Sequence, residues 1–184
     1  MSGPGKDVAG AGEPDCTECH SDLLEYGFMH YPAEDACNNC HEPTGASHPS
    51  ADSLGFRLMD RVPELCYYCH EEHPQQNSVH DPHVKGECLE CHDAHGSEAG
   101  SLLRKPDPVL CLSCHKQVGG PNRVHSAIEL GGCMSCHLAH GSEFRALLVD
   151  SYPQEDYLPA LSENFALCFI CHDPELMNAE ETDW

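Results

Sequence analysis

Basic residues are scarce in this 184-residue chain. Nine Lys plus Arg stand against 31 Asp plus Glu, a formal net charge of −22 with histidine neutral. A surface of that sign repels phosphate backbones, which argues against a nucleic-acid partner. Aliphatic bulk is scarce too: leucine, isoleucine, valine and phenylalanine make up 33 of 184 residues, or 18%. A chain so poor in apolar side chains and so highly charged does not build a core from them. Something else must supply it. No run of 18 apolar residues exists, which excludes a membrane-spanning helix, and alternating strand patterns are nearly absent. An ordinary cytosolic enzyme is disfavoured by the one residue type present in excess, the 14 cysteines.

None of those cysteines is scattered. All 14 lie in Cys-x-x-Cys pairs, and a histidine follows every pair. The first three motifs are Cys16, Cys19 and His20; Cys37, Cys40 and His41; and Cys66, Cys69 and His70. The other four are Cys88, Cys91 and His92; Cys111, Cys114 and His115; Cys133, Cys136 and His137; and Cys168, Cys171 and His172. Zinc ribbons use such pairs two at a time, and seven is odd. Neither zinc nor a disulfide framework requires histidine after each pair. The pattern is that of c-type haem attachment. One helical turn puts both thiols on one face, to bond the two vinyl groups of a porphyrin, and the next residue turns its imidazole to the iron. Seven haem c groups leave about 26 residues for each (184 over seven). The porphyrins then form the core and the chain wraps them.

Shifting residues 65–103 by 45 positions superposes Val79-His80 on Val124-His125, Gly86 on Gly131 and Cys88 on Cys133. It also lays Ala94-His95-Gly96-Ser97-Glu98 on Ala139-His140-Gly141-Ser142-Glu143. The chain reads as a flexible lead-in over 1–15 and one heptahaem domain over 16–184. That domain divides into two-haem units at 16–64, 65–109 and 110–166 and a half unit at 167–184. The expected fold is extended, mostly irregular coil with short helices at the motifs and very little strand. Pro63-Glu64-Leu65 reads as a helix start, and Ser162 as the N-cap of a last helix reaching about His172.

Eight histidines remain as distal ligands: His30, His48, His73, His80, His83, His95, His125 and His140. The repeat supplies two per unit, His30 and His48, His80 and His95, His125 and His140. The seventh is His73 or His83, and the competing thioethers are Met29, Met59, Met134 and Met177. Bis-histidine iron has no open position for a substrate, so such haems exchange electrons. Fourteen propionates and seven ferric centres bring the oxidised protein to about −29 and the fully reduced one to about −36. Midpoint potentials are therefore expected to be negative and spread out. Basic redox partners, or mineral surfaces carrying bound cations, are the attracted acceptors.

The stretch 65–148 resembles the doubled-CXXCH-motif multihaem cytochromes. The text that carries the likeness is Val79-His80-Asp81-Pro82, then Gly86-Glu87-Cys88-Leu89-Glu90-Cys91-His92-Asp93-Ala94-His95-Gly96-Ser97, Leu102-Leu103 and Leu110-Cys111-Leu112-Ser113-Cys114-His115. A second copy runs over 124–148. The resemblance implies a periplasmic or extracellular electron carrier with haems alternating between stacked and T-shaped pairs. It also implies distal ligation by His30, His80 and His125 and by His48, His95 and His140, with the first unit departing most from the pattern. Relatives of this type include porin–cytochrome conduits and extracellular cytochrome filaments.

The expected function is electron transfer without catalysis, either as a discrete soluble carrier or as one subunit of a homopolymeric haem wire. The alternative from another class is a multihaem reductase of nitrite or a sulfur oxyanion, which needs one haem with an open site. No motif departs from Cys-x-x-Cys-His to mark such a haem. Haem attachment to these motifs takes place outside the cytoplasm. Met1-Ser2-Gly3-Pro4-Gly5-Lys6 has no apolar signal core, so the sequence reads as a mature chain or a fragment.

Overall fold

The computed structural model describes residues 15–72, 75–118, 125–155 and 157–178. The proposed lead-in, but for its last residue, and His73 lie outside them. Among these residues coil dominates, interrupted by helices of one to two turns and six very short strands. Each motif opens on such a turn. Cys16–Glu18, Cys37–Asn39 and Cys133–Ser135 are 3-10 turns. Glu64–Tyr67, Cys88–Cys91, Val109–Leu112 and Ala166–Phe169 are single α-turns. The backbone amides of His20, His70, His92, His115, His137 and His172 each donate to the carbonyl of the first cysteine of their motif, at 2.9–3.1 Å. That closed turn brings the two sulfurs and the imidazole together. Pro63 caps its helix as expected. Ser162 does not: it lies inside a 3-10 turn, Ser162–Phe165, that leads into the α-turn ending at Phe169.

The strands pair in three antiparallel ladders. They are β1 (Phe28–Met29), β2 (His41–Pro43), β3 (Phe56–Leu58), β4 (Ser78–Val79), β5 (Gly96–Ser97) and β6 (Gly141–Ser142). β2 and β3 make a local hairpin with His41 opposite Leu58. Isolated bridges repeat that contact as His92 opposite Leu103 and His137 opposite Leu148. The other two ladders are long-range. β1 pairs with β5 and β4 with β6, and each is extended by one bond between histidines: the His30 amide donates to the His95 carbonyl (2.9 Å), and the His80 amide to the His140 carbonyl (3.0 Å).

Close approach of the strands explains the Gly-Ser repeat. A Cβ on Gly96 would fall 2.8 Å from the Tyr26 Cβ, and one on Gly141 would strike the Gln76 side chain. Ser97 and Ser142 are buried, and their hydroxyls donate to the carbonyls of Leu103 and Leu148.

Among the described residues no hydrophobic side chain is buried. The accessible surface of the chain is 14580 Å², against roughly 8,800 Å² for a compact protein of this mass. Phe28, Leu89, Leu112, Met134, Leu138 and Ile170, all in or beside the motifs and ladders, stand exposed. The protein atoms alone leave the core unfilled, as the composition required.

Candidate haem centres

The rings of six motif histidines face six of the eight candidate distal histidines in pairs. His20 faces His48 with ring centres 6.0 Å apart, His30 faces His70 at 6.1 Å, and His41 faces His95 at 6.1 Å. His80 faces His115 at 6.1 Å, His92 faces His140 at 5.8 Å, and His125 faces His172 at 6.0 Å. A metal–imidazole bond is about 2.0–2.1 Å, and the ring centre lies a further ~1.1 Å behind the nitrogen, so two imidazoles on one metal have centres roughly 6.3 Å apart. Six pairs match that span. The ring planes cross at angles from 12° (His41 and His95) to 84° (His125 and His172), a rotation that an axial ligand is free to adopt.

Two of the eight candidate histidines stand apart. His83 stacks directly on His140 with ring centres 4.6 Å apart, too close for a metal between them. His73 lies outside the described residues.

Hydrogen bonds orient several rings. Nδ1 of His92 donates to the Ser101 carbonyl and Nδ1 of His137 to the Ala146 carbonyl, both at 2.9 Å; Nδ1 of His30 donates to the Ala94 carbonyl at 2.8 Å. Spending the proton on Nδ1 leaves the Nε2 lone pair for a metal. The carbonyls of Ser101 and Ala146 are presented by a strained turn: Ser101 and Leu102 have φ of 57° and 55°, and Ala146 and Leu147 of 53° and 62°. Left-handed backbone costs a non-glycine residue roughly 1–2 kcal/mol. That strain sits where the proximal ring is held. His125 differs, because its Nδ1 accepts from the Ala127 amide (3.1 Å) and its proton therefore lies on Nε2. Burial, and then the facing His95 ring, hold His41 below the usual histidine range, in the neutral form that can bind a metal.

Cysteines of successive motifs lie near one another. Cys16 lies against Cys37, Cys66 against Cys88 and Cys111 against Cys133, while Cys40 is within electrostatic reach of Cys66 and Cys114 of Cys91. Motifs one to six are thus linked in chain order. Burial first, and then these neighbours, push the Cys16, Cys66 and Cys91 thiols up, so they resist ionisation and premature oxidation. Partial burial, and then the adjacent Asp107 and Cys111, push the Cys133 thiol up to about 12.

The two cysteines of a motif are not equivalent, although the sequence reading gives them one role. The first is half-buried in all seven motifs, whereas the second is exposed in four of them, as Cys19, Cys69, Cys114 and Cys171. The Cys69 amide donates to the Cys66 carbonyl (3.2 Å), and the same bond joins Cys19 to Cys16, Cys114 to Cys111 and Cys171 to Cys168. The same bond joins the half-buried Cys40 to Cys37 and Cys136 to Cys133, so the turn alone does not set the exposure. Cys69 and its three counterparts offer an accessible sulfur to a vinyl group, with the chain-order contacts carried mainly by the first cysteines.

Asp107 is a residue that the sequence reading passed over. Its carboxylate accepts from the amides of Cys133 and Met134, both at 2.9 Å, and pins the sixth motif against the fifth. Asp107, Cys111 and Cys133 bring their ligand atoms within 4.8 Å of one another. Val62, its counterpart 45 residues earlier, has no such group, so the repeat gave no signal for it.

The doubled-CXXCH-motif family model matches residues 30–75, 80–120 and 125–177, and the chain belongs to that family. It is a multihaem c-type cytochrome that binds haem c covalently and carries electrons. No curated protein matches the chain. Each matched segment opens on His30, His80 or His125 and holds two motifs, a different phase from units starting at 16, 65 and 110. Multihaem c-type cytochromes are typically extracytoplasmic, and no helix among the described residues is long and apolar enough to cross a membrane.

Proposed function

We propose that this chain conducts electrons along a row of seven c-type haems, at least six of them bis-histidine ligated. The observation that carries the reading is the set of six histidine pairs with ring centres 5.8–6.1 Å apart, each joining a motif histidine to one of the eight others. The bound haem supplies one-electron Fe(III)/Fe(II) chemistry. The protein's part is positional. The paired imidazoles would hold each iron between them and leave a substrate no place to bind. The Nδ1 bonds to Ser101, Ala146 and Ala94 fix ring orientation and basicity. The cysteine contacts order the first six attachment edges, so that an electron passes between neighbouring rings. His125 must exchange its bond to the Ala127 amide for an Nδ1–H donor role when it takes a metal at Nε2.

The first and last motifs are accessible, as some internal ones are. Cys19 and His20 of the first motif and Cys171 of the last are exposed. Donor and acceptor dock there, and the acidic surface selects basic proteins or cation-coated solids. Exposed ends also suit end-to-end assembly into a periplasmic or extracellular wire. Electron microscopy of the native protein separates the two: regular filaments support the wire, and dispersed particles support a discrete carrier. The haem reading itself is tested by intact mass, where seven covalent haems per chain are expected and fewer overturn the count. A spectropotentiometric titration should give several overlapping waves at negative potential. A single wave, or one centred well above zero, counts against the array.

A further inference from the structure

One backbone bond recurs at the second, fourth and sixth motifs. The amides of Met59, Arg104 and Val149 donate to the carbonyls of Cys40, Cys91 and Cys136, the second cysteines of those motifs, at 2.8–2.9 Å. The position is thus the same in all three units, and only its side chain changes. Methionine and valine are neutral, whereas arginine is a permanent cation. The next residue changes in the same sense, with Lys105 where the other units have Asp60 and Asp150.

Arg104 turns back onto the motif it closes. Its Nη1 donates to the carbonyl of Leu89, which lies between Cys88 and Cys91, at 2.9 Å. Arg104 and Lys105 line one cavity of about 440 Å³ together with Asp93, the residue after His92. The ion pairs of the described residues engage Arg57, Arg61 and Lys85, not these two. The fourth motif is also the acidic one of the three. Glu90 lies between its cysteines, where the second has Asn38 and Asn39 and the sixth Met134 and Ser135, and Glu87 and Asp93 flank it. Left uncompensated, that acid would push the potential of the fourth haem down.

We infer that Arg104 and Lys105 set the potential of the haem held by Cys88, Cys91 and His92, raising its midpoint against the local acid so that the fourth position accepts an electron from its neighbours. Reduction of Fe(III) to Fe(II) there takes one electron from a neighbouring ferrous haem, which becomes ferric, and no proton moves. The centre loses one positive charge, so a cation beside it favours the reduced form. Both residues are exposed, and salt screens their effect. The inference rests on the haem reading above and adds the residues that tune one member of the row.

The test is an EPR-monitored redox titration of the full haem-loaded chain. His140 reaches back to His92 with ring planes at 50°, and His95 to His41 at 12°, so the two low-spin ferric centres differ. The fourth haem's signal is the one lost in His140→Ala, and the second haem's the one lost in His95→Ala. If His140→Ala loses no signal, the histidine pairing fails and the inference falls with it. With the signals assigned, Arg104→Gln and Lys105→Gln should each move the fourth signal to more negative potential, and the double variant further than either. The second haem's signal should move less. Arg104→Lys keeps the charge and should titrate as the wild type. An unmoved fourth signal in the double variant overturns the inference. So does an equal shift of both signals, which reports net charge alone, or a shift in Arg104→Lys as large as in Arg104→Gln, which reports the bond to Leu89. Lys105→Gln leaves that bond in place and reads the charge even where the Arg104 variants fail to load haem.

Discussion

At the scale of single residues the chemistry is local, and each histidine has one place. Replacing His95 with alanine should open the haem at His41, and replacing His30 should open the one at His70. Each variant is expected to bind one carbon monoxide equivalent more than the wild type. Asp107→Ala removes the acceptor of two backbone amides and is expected to cost on the order of 1–3 kcal/mol. Loss of low-spin haem absorbance in guanidinium reads it, and an unchanged midpoint means Asp107 does not hold the sixth motif. The seven motifs and the eight other histidines were legible in the sequence because haem attachment needs fixed residue types at fixed spacing. The unequal exposure within a motif, Cys66 half-buried and Cys69 exposed, was not, because both are the same residue type in the same pattern. His30 and His48, in the most divergent stretch, face His70 and His20 at the same span as the rest. Asp107 was not legible either, because a capping carboxylate has no spacing signature and its counterpart in the preceding repeat is valine.

At the scale of elements the unit of construction is the ladder between segments. β1 with β5 aligns His30 and His95, and β4 with β6 aligns His80 and His140. A bulky side chain at Gly96 cannot fit against Tyr26. Gly96→Val should therefore loosen both histidines of that junction and raise carbon monoxide uptake by two equivalents, where a single histidine variant adds one. An increase of one means that the two ligands are positioned independently. The strained turn makes an opposite prediction. Ala146→Gly relieves a left-handed residue and should stabilise by about 0.5–1 kcal/mol, read by the same unfolding curve. The run Ala-His-Gly-Ser-Glu was visible as a repeat, but its pairing partners were not. Two-residue strands carry no alternation, and their register pairs residues 62–69 positions apart.

Across the whole molecule the governing quantity is charge. The described residues hold three Lys or Arg ion pairs, Arg57 with Glu42, Arg61 with Glu64 and Lys85 with Asp81, all exposed and screened by solvent. They leave most of the acidic excess uncompensated. Each added electron enters a more negative body, so raising ionic strength should move the titration waves upward and narrow their spread, as screening shortens the reach of the field. A set of midpoints insensitive to salt would show that local ligation alone sets them. The coil-rich, extended character was legible because 33 aliphatic and phenylalanine residues cannot make a core for 184. The order of contacts along the row came only with the cysteine pairs.

The backward reach of His95 and His140 has an engineering consequence. Each junction is completed by a histidine that belongs to the next segment, and the two long-range junctions share the same strand register. Removing residues 80–124 would bring His140 against His41 and Ser142 against the Phe28 strand, with the same glycine and serine at the crossing. The product should be a five-haem cytochrome with intact junctions. Length in this architecture is a digital variable, counted in two-haem steps, while the coordination at every internal joint stays constant.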